Sequence, residues 1–405
     1  MIPFSPPRID DKTIAAVVDA LRSGWITTGP RTKEFEKKLA EYNDVPNVLA
    51  VNSATAGMEL ILRWFGVGPG DEVIIPAYTY CATANVVMHC GAKPVMVDAG
   101  DDFNINAELI EKAITSKTKV IIPVDLGGWP CDYEHISTII NKDGIRQLFI
   151  GNNERQQELG RILLMADAAH SLGAVMNGVK AAKLSDIAVF STHAVKNLTT
   201  AEGGAICLNL PEPFDNHKIY KYLNIFSLHG QNKDALAKSQ RGNWEYDVIE
   251  AGYKCNMPDV LAAIGLVELE RYEKTLERRA EIFDFYSGFF SKFDWAELPP
   301  YKSSVKKSSY HLYLLRVRDI HENQRNQIIQ KIFERDVSVN VHFKPLPLMT
   351  FYKEQGYEMS QYPQAFDNYA REISLPVYYD LKDEELSEIC HAVSDSVHEI
   401  LEIKN

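Results

Sequence analysis

The 405-residue chain lacks the features that mark membrane proteins and disulfide-rich proteins. No apolar run reaches the length of a membrane span, and the first residues lack the charged and apolar segments of a secretory signal. Cysteine is scarce and forms no CxxC pair or zinc-like spacing, which predicts reduced, mostly structural thiols and no metal site. The six cysteines are Cys81, Cys90, Cys131, Cys207, Cys255 and Cys390. We therefore expect a cytoplasmic protein.

Positive charge is also in deficit. The formal net charge of −12 argues against general binding to nucleic acids or anionic membranes. It leaves room for a local basic pocket that holds a phosphorylated substrate. Neither an internal repeat nor a low-complexity segment is present. With 45% hydrophobic and 24% charged residues, the chain has the composition of a globular protein, and its length predicts two domains.

What the sequence does contain is a regular alternation of short β-branched runs with helical patterns. This alternation predicts an α/β fold with a mostly parallel central sheet flanked by helices, in which ligands bind beyond the carboxyl ends of the strands. The predicted strands are residues 48–51, 72–75, 95–98, 120–124, 163–167 and 187–191. The predicted helices are residues 11–23, 32–42, 79–89, 106–115 and 133–140.

A long helical pattern over residues 260–289 predicts a single helix that leads into a second domain. We expect a large domain at residues 13–271 and a smaller α+β carboxyl-terminal domain at residues 272–405, with segment 1–12 joining them.

Two patterns predict elements of the second domain, a strand at residues 310–317 and a helix at residues 323–335. Within the first domain, the hydrophilic stretch at residues 141–160 is predicted to be a surface excursion.

Lys196 and Asp167 are the strongest candidates for chemistry. Each follows or ends an apolar run that reads as a buried strand. Burial disfavours the charged form of a lysine and makes its free amine available as a nucleophile, so such lysines form Schiff bases. A carboxylate at a neighbouring strand end can keep a pyridine nitrogen protonated. Lysine and aspartate together are the pair that pyridoxal phosphate requires.

Small residues after the first predicted strand, at 52–57, suggest an anion site at the start of a helix. Taken alone, this pattern is more often simple N-capping by Ser53 or Thr55. Beside Lys196 and Asp167, it favours a phosphate cradle. Tyr80, after the second predicted strand, is a candidate to stack on a planar ring, although such an aromatic taken alone is more often part of the core.

Several strings in a fixed order resemble the sugar aminotransferases of the DegT/StrS family, which are fold-type I pyridoxal phosphate enzymes. The strings are GWITTGP at residues 24–30, SATAGM at 53–58, DAAH at 167–170, the lysine segment at 191–197 and GYKCNM at 252–257. The resemblance covers nearly the whole chain and is strongest to the aminotransferases of UDP-4-keto sugars. Several such strings in order are far more specific than any one of them.

The resemblance implies a role for each matched residue. Lys196 is implied to bind pyridoxal phosphate covalently and to move the proton, and Asp167 is implied to pair with the pyridine nitrogen. Lys254 lies in a segment that reaches the partner's phosphate site in a homodimer with shared active sites. The other implied cofactor contacts are Ala54, Thr55 and Ser191 at the phosphate, Tyr80 on the ring face, and His170.

Two positions depart from the family pattern. Ala166 stands where relatives have glutamate, and Asp125 stands where a histidine is usual, which alters the expected substrate pocket because a carboxylate cannot donate as a histidine does. The resemblance implies substrate contacts by Asp125, His311, His342 and Lys344. We expect the histidines to donate to a diphosphate, with Lys344 or Arg241 as the nearby cation.

The predicted activity is transfer of an amino group from L-glutamate to a UDP-linked 4-keto sugar for surface glycan biosynthesis. The altered pocket favours a 6-deoxy, 2-acetamido hexose as the sugar. Alternatives are a dTDP-3-keto sugar or a keto cyclitol as acceptor, a fold-type I lyase on amino acids, and a non-catalytic ligand-binding regulator. A sugar dehydratase of the same fold is disfavoured, since those enzymes have histidine where this chain has Lys196.

Overall fold

The computed structural model describes residues 1–233 and 245–402. None of the helices in those two ranges is long and apolar enough to cross a membrane. The helices are Asp11–Arg22, Pro30–Asn43, Ala54–Trp64, Cys81–His89, Ala107–Ala113, Tyr133–Asn141, Asp143–Leu148, Glu154–Leu159, Asn216–Phe226, Asp259–Glu270, Tyr272–Phe290, Glu322–Glu334, Thr350–Glu354, Pro363–Arg371 and Asp383–Leu401. Single 3-10 turns lie at Leu126–Gly128, Ala181–Lys183, Leu346–Leu348 and Met359–Gln361.

Strands alternate with these helices in the first part of the chain and form a smaller sheet in the last part. In chain order they are β1 Asn47–Val51, β2 Glu72–Pro76, β3 Lys93–Val97, β4 Thr118–Ile121, β5 Leu163–Asp167, β6 Val175–Met176, β7 Val179–Lys180, β8 Ile187–Ser191, β9 Gly204–Leu208, β10 Ala296–Glu297, β11 Lys306–Lys307, β12 Tyr313–Val317 and β13 Glu372–Leu375.

The central sheet has the strand order β1-β9-β8-β5-β4-β2-β3. Only β9 runs antiparallel to its neighbours, so the predicted α/β fold with a mostly parallel sheet is confirmed. Strands β5 and β8 have the predicted bounds and pair directly in parallel. Their carboxyl ends therefore meet at one edge of the sheet. The sequence did not predict β9, which fills the gap between β1 and β8.

A second, antiparallel sheet, β10-β12-β13, lies in the carboxyl-terminal part. Its inner face and the helices around it form a hydrophobic cluster distinct from the two clusters that flank the central sheet. The amino terminus joins this cluster, since the Ile2 N–H donates to the Asp336 carbonyl at 2.7 Å. The domain boundary between residues 271 and 272 stays a prediction.

The prediction of a single helix at residues 260–289 is wrong. Two helices, Asp259–Glu270 and Tyr272–Phe290, meet at Arg271, whose backbone torsions of φ −107° and ψ 8° lie outside the helical range. The Arg271 guanidinium binds Glu268 and also Asp10, which is the N-cap of the first helix. Arg271, at the break between the two helices, therefore connects them to the N-cap of helix Asp11–Arg22. Good helix formers on both sides of Arg271 hide it from sequence patterns.

The surface excursion predicted at 141–160 is only partly right. Helix Asp143–Leu148 buries no residue, as expected, but Gln156 in the following helix is fully buried. The Gln156 amide donates to the Phe65 carbonyl at 2.9 Å and accepts from the Asn152 N–H at 2.9 Å. This second helix is thus packed against the domain by hydrogen bonds that its hydrophilic sequence does not reveal.

Asp259 fixes the segment that contains GWITTGP. Its fully buried carboxylate accepts from the backbone N–H groups of Gly29, Arg31 and Thr32 at 2.7, 3.0 and 2.9 Å. These donors lie at the start of helix Pro30–Asn43 and would otherwise have no partner within that helix. A buried carboxylate with several charge-assisted hydrogen bonds is a strong anchor, so this loop is held against the start of helix Asp259–Glu270.

Candidate active site

Asp167 and Lys196 meet at the carboxyl edge of the central sheet. Asp167 is the last residue of β5, and Lys196 lies five residues beyond the end of the adjacent β8. Both side chains line one cavity of about 370 Å³. The cavity also takes residues from the start of helix Ala54–Trp64 and from the carboxyl-terminal part of the chain. The topology thus brings the two groups together as the sequence predicts.

The Lys196 amine is prepared to act as a base or nucleophile. Burial lowers its pKa from 10.5 to about 8, although attraction to Asp167 acts in the opposite direction. About a tenth of the amine is therefore unprotonated at pH 7, far more than for an ordinary lysine with a pKa of about 10.4. The Lys196 N–H donates to the His193 carbonyl at 2.9 Å, which fixes the turn that carries the side chain.

Asp167 is a buried carboxyl with unused capacity. Its side chain accepts from the Thr83 hydroxyl at 2.7 Å and from the Ala169 N–H at 3.3 Å. Burial raises its pKa, and the Thr83 hydrogen bond opposes that rise. Among the described residues, no cation lies within ion-pair distance of it. A cationic ring nitrogen is the kind of partner that such a carboxylate lacks.

The start of helix Ala54–Trp64 also lines the cavity. Ser53 caps the helix, since its hydroxyl accepts from the Ala56 N–H at 3.1 Å, and Ala54 and Thr55 line the cavity. Gly204 lets β9 approach this turn, because a Cβ there would lie 2.4 Å from the Ala54 nitrogen. Backbone donors at a helix start favour an anion, so this end suits a phosphate. Ser53 therefore caps the helix, and Ala54 and Thr55 at the same helix start line the cavity where an anion could bind.

Tyr80 and Ser191 complete the predicted cofactor contacts at the cavity. Tyr80 caps helix Cys81–His89 and is 58% exposed, which is unusual for an aromatic that only fills a core. Its ring lies 5.7 Å from the Phe343 ring. Ser191, the last residue of β8, also lines the cavity. An exposed aromatic face and a hydroxyl at the strand end are therefore available to a planar, phosphorylated ligand.

Four histidines line the cavity, and three of them, His170, His311 and His342, are predominantly neutral near pH 7. Burial lowers the pKa of His170 and His311 well below 6.5 and that of His342 to about 4, with repulsion from Lys196 adding to the effect. His311 Nδ1 lies 2.9 Å from Asn197 Oδ1, and the His170 and His311 rings are 4.3 Å apart. They can form hydrogen bonds to a substrate, but they do not supply positive charge to a diphosphate.

The structure does not bring Asp125 into the cavity, so its expected contact with substrate does not fit this arrangement. Asp125 is fully buried, and its carboxylate accepts from the Ser171 hydroxyl, the Tyr133 hydroxyl and the Cys131 N–H at 2.6, 2.9 and 2.8 Å. Both of its carboxylate oxygens are therefore engaged within the protein. Asp125 therefore has a structural role, which could not be predicted from the sequence because its partners are known only from the fold.

Lys254 and Lys344 do not line the cavity either. Lys254 lies in a neighbouring groove that shares Ser53 and Thr55 with the cavity. Lys344 is exposed and is not a lining residue. Arg241 lies outside the described residues. No lysine or arginine other than Lys196 lines the cavity within the described ranges.

Thr83 and Phe4 were missed by the sequence analysis. Thr83 binds Asp167 from within helix Cys81–His89 and is fully buried. Phe4 lines the cavity and stacks on His342 at 5.5 Å between ring centroids. A buried threonine in a helix usually has no function beyond packing, so Thr83 carried no signal. For Phe4 the sequence offers one weak signal, since it is an apolar residue among prolines near the amino terminus.

A family model describing the DegT/DnrJ/EryC1/StrS aminotransferases matches residues 7–149 and 154–394. The chain belongs to this family. Its cofactor is pyridoxal phosphate, and its activity is that of a sugar aminotransferase. The predicted family, fold class and cofactor are therefore confirmed. Pyridoxal phosphate fits the residues present, because Lys196, the unpaired Asp167 and the Ala54 turn offer an amine, a carboxylate and an anion site in one cavity.

Solved structures and relatives agree with this assignment. The chain is 46% identical to a Streptococcus pneumoniae protein assigned as a sugar aminotransferase and solved in its PMP form, over 99% of this chain and 100% of that one, with a TM-score of 0.95. The spore coat polysaccharide biosynthesis protein SpsC of Bacillus subtilis is 33% identical, over 98% and 97% of the two chains. The UDP-4-amino-4-deoxy-L-arabinose–oxoglutarate aminotransferase of Shewanella sediminis is also 33% identical, over 98% of each.

We predict that Asp167→Asn lowers the Lys196 pKa of this aminotransferase below about 8, because a neutral amide no longer favours the protonated amine. The measurement is the rate at which an amine reagent labels Lys196 in the cofactor-free protein across a pH series, quantified by peptide mass. Exposed Lys117, which does not line the cavity, is the internal control and should label alike in both proteins. An unchanged or higher Lys196 pKa in a folded variant would contradict the proposed attraction.

Proposed function

We propose that this sugar aminotransferase moves an amino group from L-glutamate to a nucleotide-linked 4-keto sugar, with UDP as the nucleotide, for surface glycan biosynthesis. The observation that carries the proposal is the single cavity in which a depressed-pKa lysine faces a buried carboxyl and a helix start. Two relatives support the acceptor class by name, since one acts in spore coat polysaccharide biosynthesis and the other on a UDP-linked amino sugar.

The residues divide the work of transamination. When bound, pyridoxal phosphate supplies an electron sink for the carbanion. Asp167 holds the proton on the ring nitrogen, since an ionised carboxylate favours a neighbouring cation. Lys196 holds the cofactor at rest and moves a proton at the reacting carbon, a task suited to an amine with a pKa of about 8. Ala54 and Thr55, with Ser191, bind the phosphate and fix the ring's orientation.

The histidines orient the acceptor by hydrogen bonds alone. Because His311 and His342 are neutral, they can bind a diphosphate only by hydrogen bonds and not by charge. Leu375 and Val377 provide apolar wall beside them, which keeps water from the reacting carbon. The cation for the diphosphate then comes from outside the cavity lining, from Lys344, Arg241 or a partner chain.

Asp125 gives no support to a 6-deoxy, 2-acetamido hexose as the sugar. That choice required Asp125 to be a pocket residue, and Asp125 is fully buried and does not line the cavity. The proposal is therefore held at a UDP-linked 4-keto sugar. The dehydratase alternative is disfavoured by the presence of Lys196 in the cavity.

We further propose a homodimer in which Lys254 serves the partner's phosphate site. In its own chain, Lys254 is exposed in a groove beside the Ser53–Thr55 turn and does not line the cavity. A cation placed there is well located to meet the same turn of a second copy across a two-fold axis, because isologous contacts bring equivalent surfaces together.

We predict that UDP-4-keto sugars, added to protein first converted to its amino form by glutamate and then freed of glutamate, restore the absorbance of the pyridoxal form. Stopped-flow absorbance follows the change. Lys196→Ala, loaded directly with pyridoxamine phosphate because it lacks the amine that moves the proton, is the matched control and should show no restoration. A dTDP-3-keto sugar and a free keto cyclitol are tested in parallel. If either of these restores the absorbance while UDP-4-keto sugars do not, the proposed nucleotide or carbon is wrong.

We predict that mixing Lys196→Ala and Lys254→Ala chains, each nearly inactive alone, recovers about a quarter of wild-type activity, because half the dimers are mixed and each has one intact site. Activity is measured after subunit exchange, with sedimentation run at the assay concentration. Lys183→Ala replaces Lys254→Ala in the control mixture. A fully active monomer, or no recovery from exchanged dimers, would refute the shared site.

A further inference from the structure

The carboxyl of Asp167 is held from behind by one side chain. Thr83 Oγ1 donates to Asp167 Oδ2 at 2.7 Å, whereas Oδ1 meets only the Ala169 N–H at a longer 3.3 Å. Thr83 is fully buried and is not a cavity-lining residue, while Asp167 is 5% exposed and lines the cavity. Thr83 therefore contacts the carboxyl from outside the cavity lining, and Oδ1, which accepts the longer of the two hydrogen bonds, is the less engaged oxygen.

A second hydroxyl completes the arrangement. Thr79 Oγ1 lies 2.9 Å from Thr83 Oγ1 and is also fully buried. A hydroxyl has one proton to donate, so when Thr83 donates to the Asp167 carboxylate, Thr79 donates to Thr83. The two hydroxyls form a directed chain that ends on Asp167. Burying two hydroxyls is unfavourable unless they are paired, and here each finds its partner in this chain.

The same turn also carries the ring-stacking candidate. Thr83 lies in the first turn of helix Cys81–His89, whose N-cap is Tyr80. Buried threonines in helices often bond back to the carbonyl four residues earlier. Thr83 instead bonds to the side chain four residues earlier, Thr79, and to Asp167. The first turn of this helix thus connects Tyr80, the candidate for stacking on a planar ring, to Thr83, which binds Asp167.

We propose that Thr83 is a positioning residue for the cofactor: its hydroxyl fixes Asp167 Oδ2, presents Oδ1 to the ring nitrogen, and keeps the proton on the ring rather than on the carboxyl. A carboxylate that loses a strong hydrogen bond becomes more basic and competes better for the shared proton. This inference rests on the cofactor-binding role of Asp167 in the proposed function.

The test compares Thr83→Val, which removes the hydroxyl at nearly constant shape, with Thr83→Ser, which keeps it. Two readouts need no turnover: the affinity of the cofactor-free protein for pyridoxal phosphate, and the 15N resonance of cofactor labelled at the ring nitrogen. We expect Thr83→Val to weaken binding about tenfold, the effect of one hydrogen bond to a charged group, and to move the resonance toward neutral pyridine. Thr83→Ser should restore both, and Thr79→Val should show a smaller change of the same sign.

A double variant separates positioning from simple packing. In an Asp167→Asn background, adding Thr83→Val should change neither readout further, because the carboxylate through which Thr83 acts is gone. Thr83→Ala serves in place of Thr83→Val if the latter does not fold. The inference is overturned if the variant lacking the hydroxyl binds cofactor with wild-type affinity and ring protonation, if serine fails to restore them, or if the losses persist in the Asp167→Asn background. None of these readouts uses a sugar, so they are independent of the acceptor test.

Discussion

Buried Asp167 and half-buried Lys196 line one cavity, and the charge of each favours the charged form of the other. Burial alone would make the carboxyl neutral and the amine neutral, since each charge is costly in a poorly hydrated cavity. Their mutual attraction opposes both shifts, which leaves the Lys196 pKa at about 8 rather than lower. An amine that gains and loses a proton near neutral pH is what proton transfer at a substrate carbon requires.

The strand order makes this pair possible. Strands β5 and β8 are not consecutive in the chain, yet they pair directly in parallel, so Asp167 and the segment leading to Lys196 leave the sheet at the same edge. Antiparallel β9 then returns beside β8, and Gly204 lets it pass close to the Ala54 turn. The amine, the carboxyl and the anion site thus converge because of topology, while Thr83 approaches the carboxyl from a separate helix.

Much of this arrangement was predictable because strand periodicity and the Lys196 and Asp167 patterns are local in sequence. Strands β5 and β8 appear at their predicted bounds for this reason. The rest depends on contacts between distant segments. The break at Arg271 depends on Asp10, the burial of Asp125 depends on Ser171 and Tyr133, and no sequence pattern reports such pairings. The family resemblance implied that Asp125 contacts the substrate, but Asp125 is buried among its hydrogen-bond partners and does not line the cavity.

The account depends most directly on Lys196 being the lysine that carries the cofactor. Two lysines close to it in sequence do not line the cavity and bind elsewhere: Lys183 pairs with Asp44 at 2.7 Å, and Lys180 donates to the Tyr42 carbonyl. The decisive measurement is borohydride reduction of the cofactor-loaded protein followed by peptide mapping. The account predicts a pyridoxyl adduct on Lys196, and an adduct on Lys180, Lys183 or Lys254 in its place would contradict it.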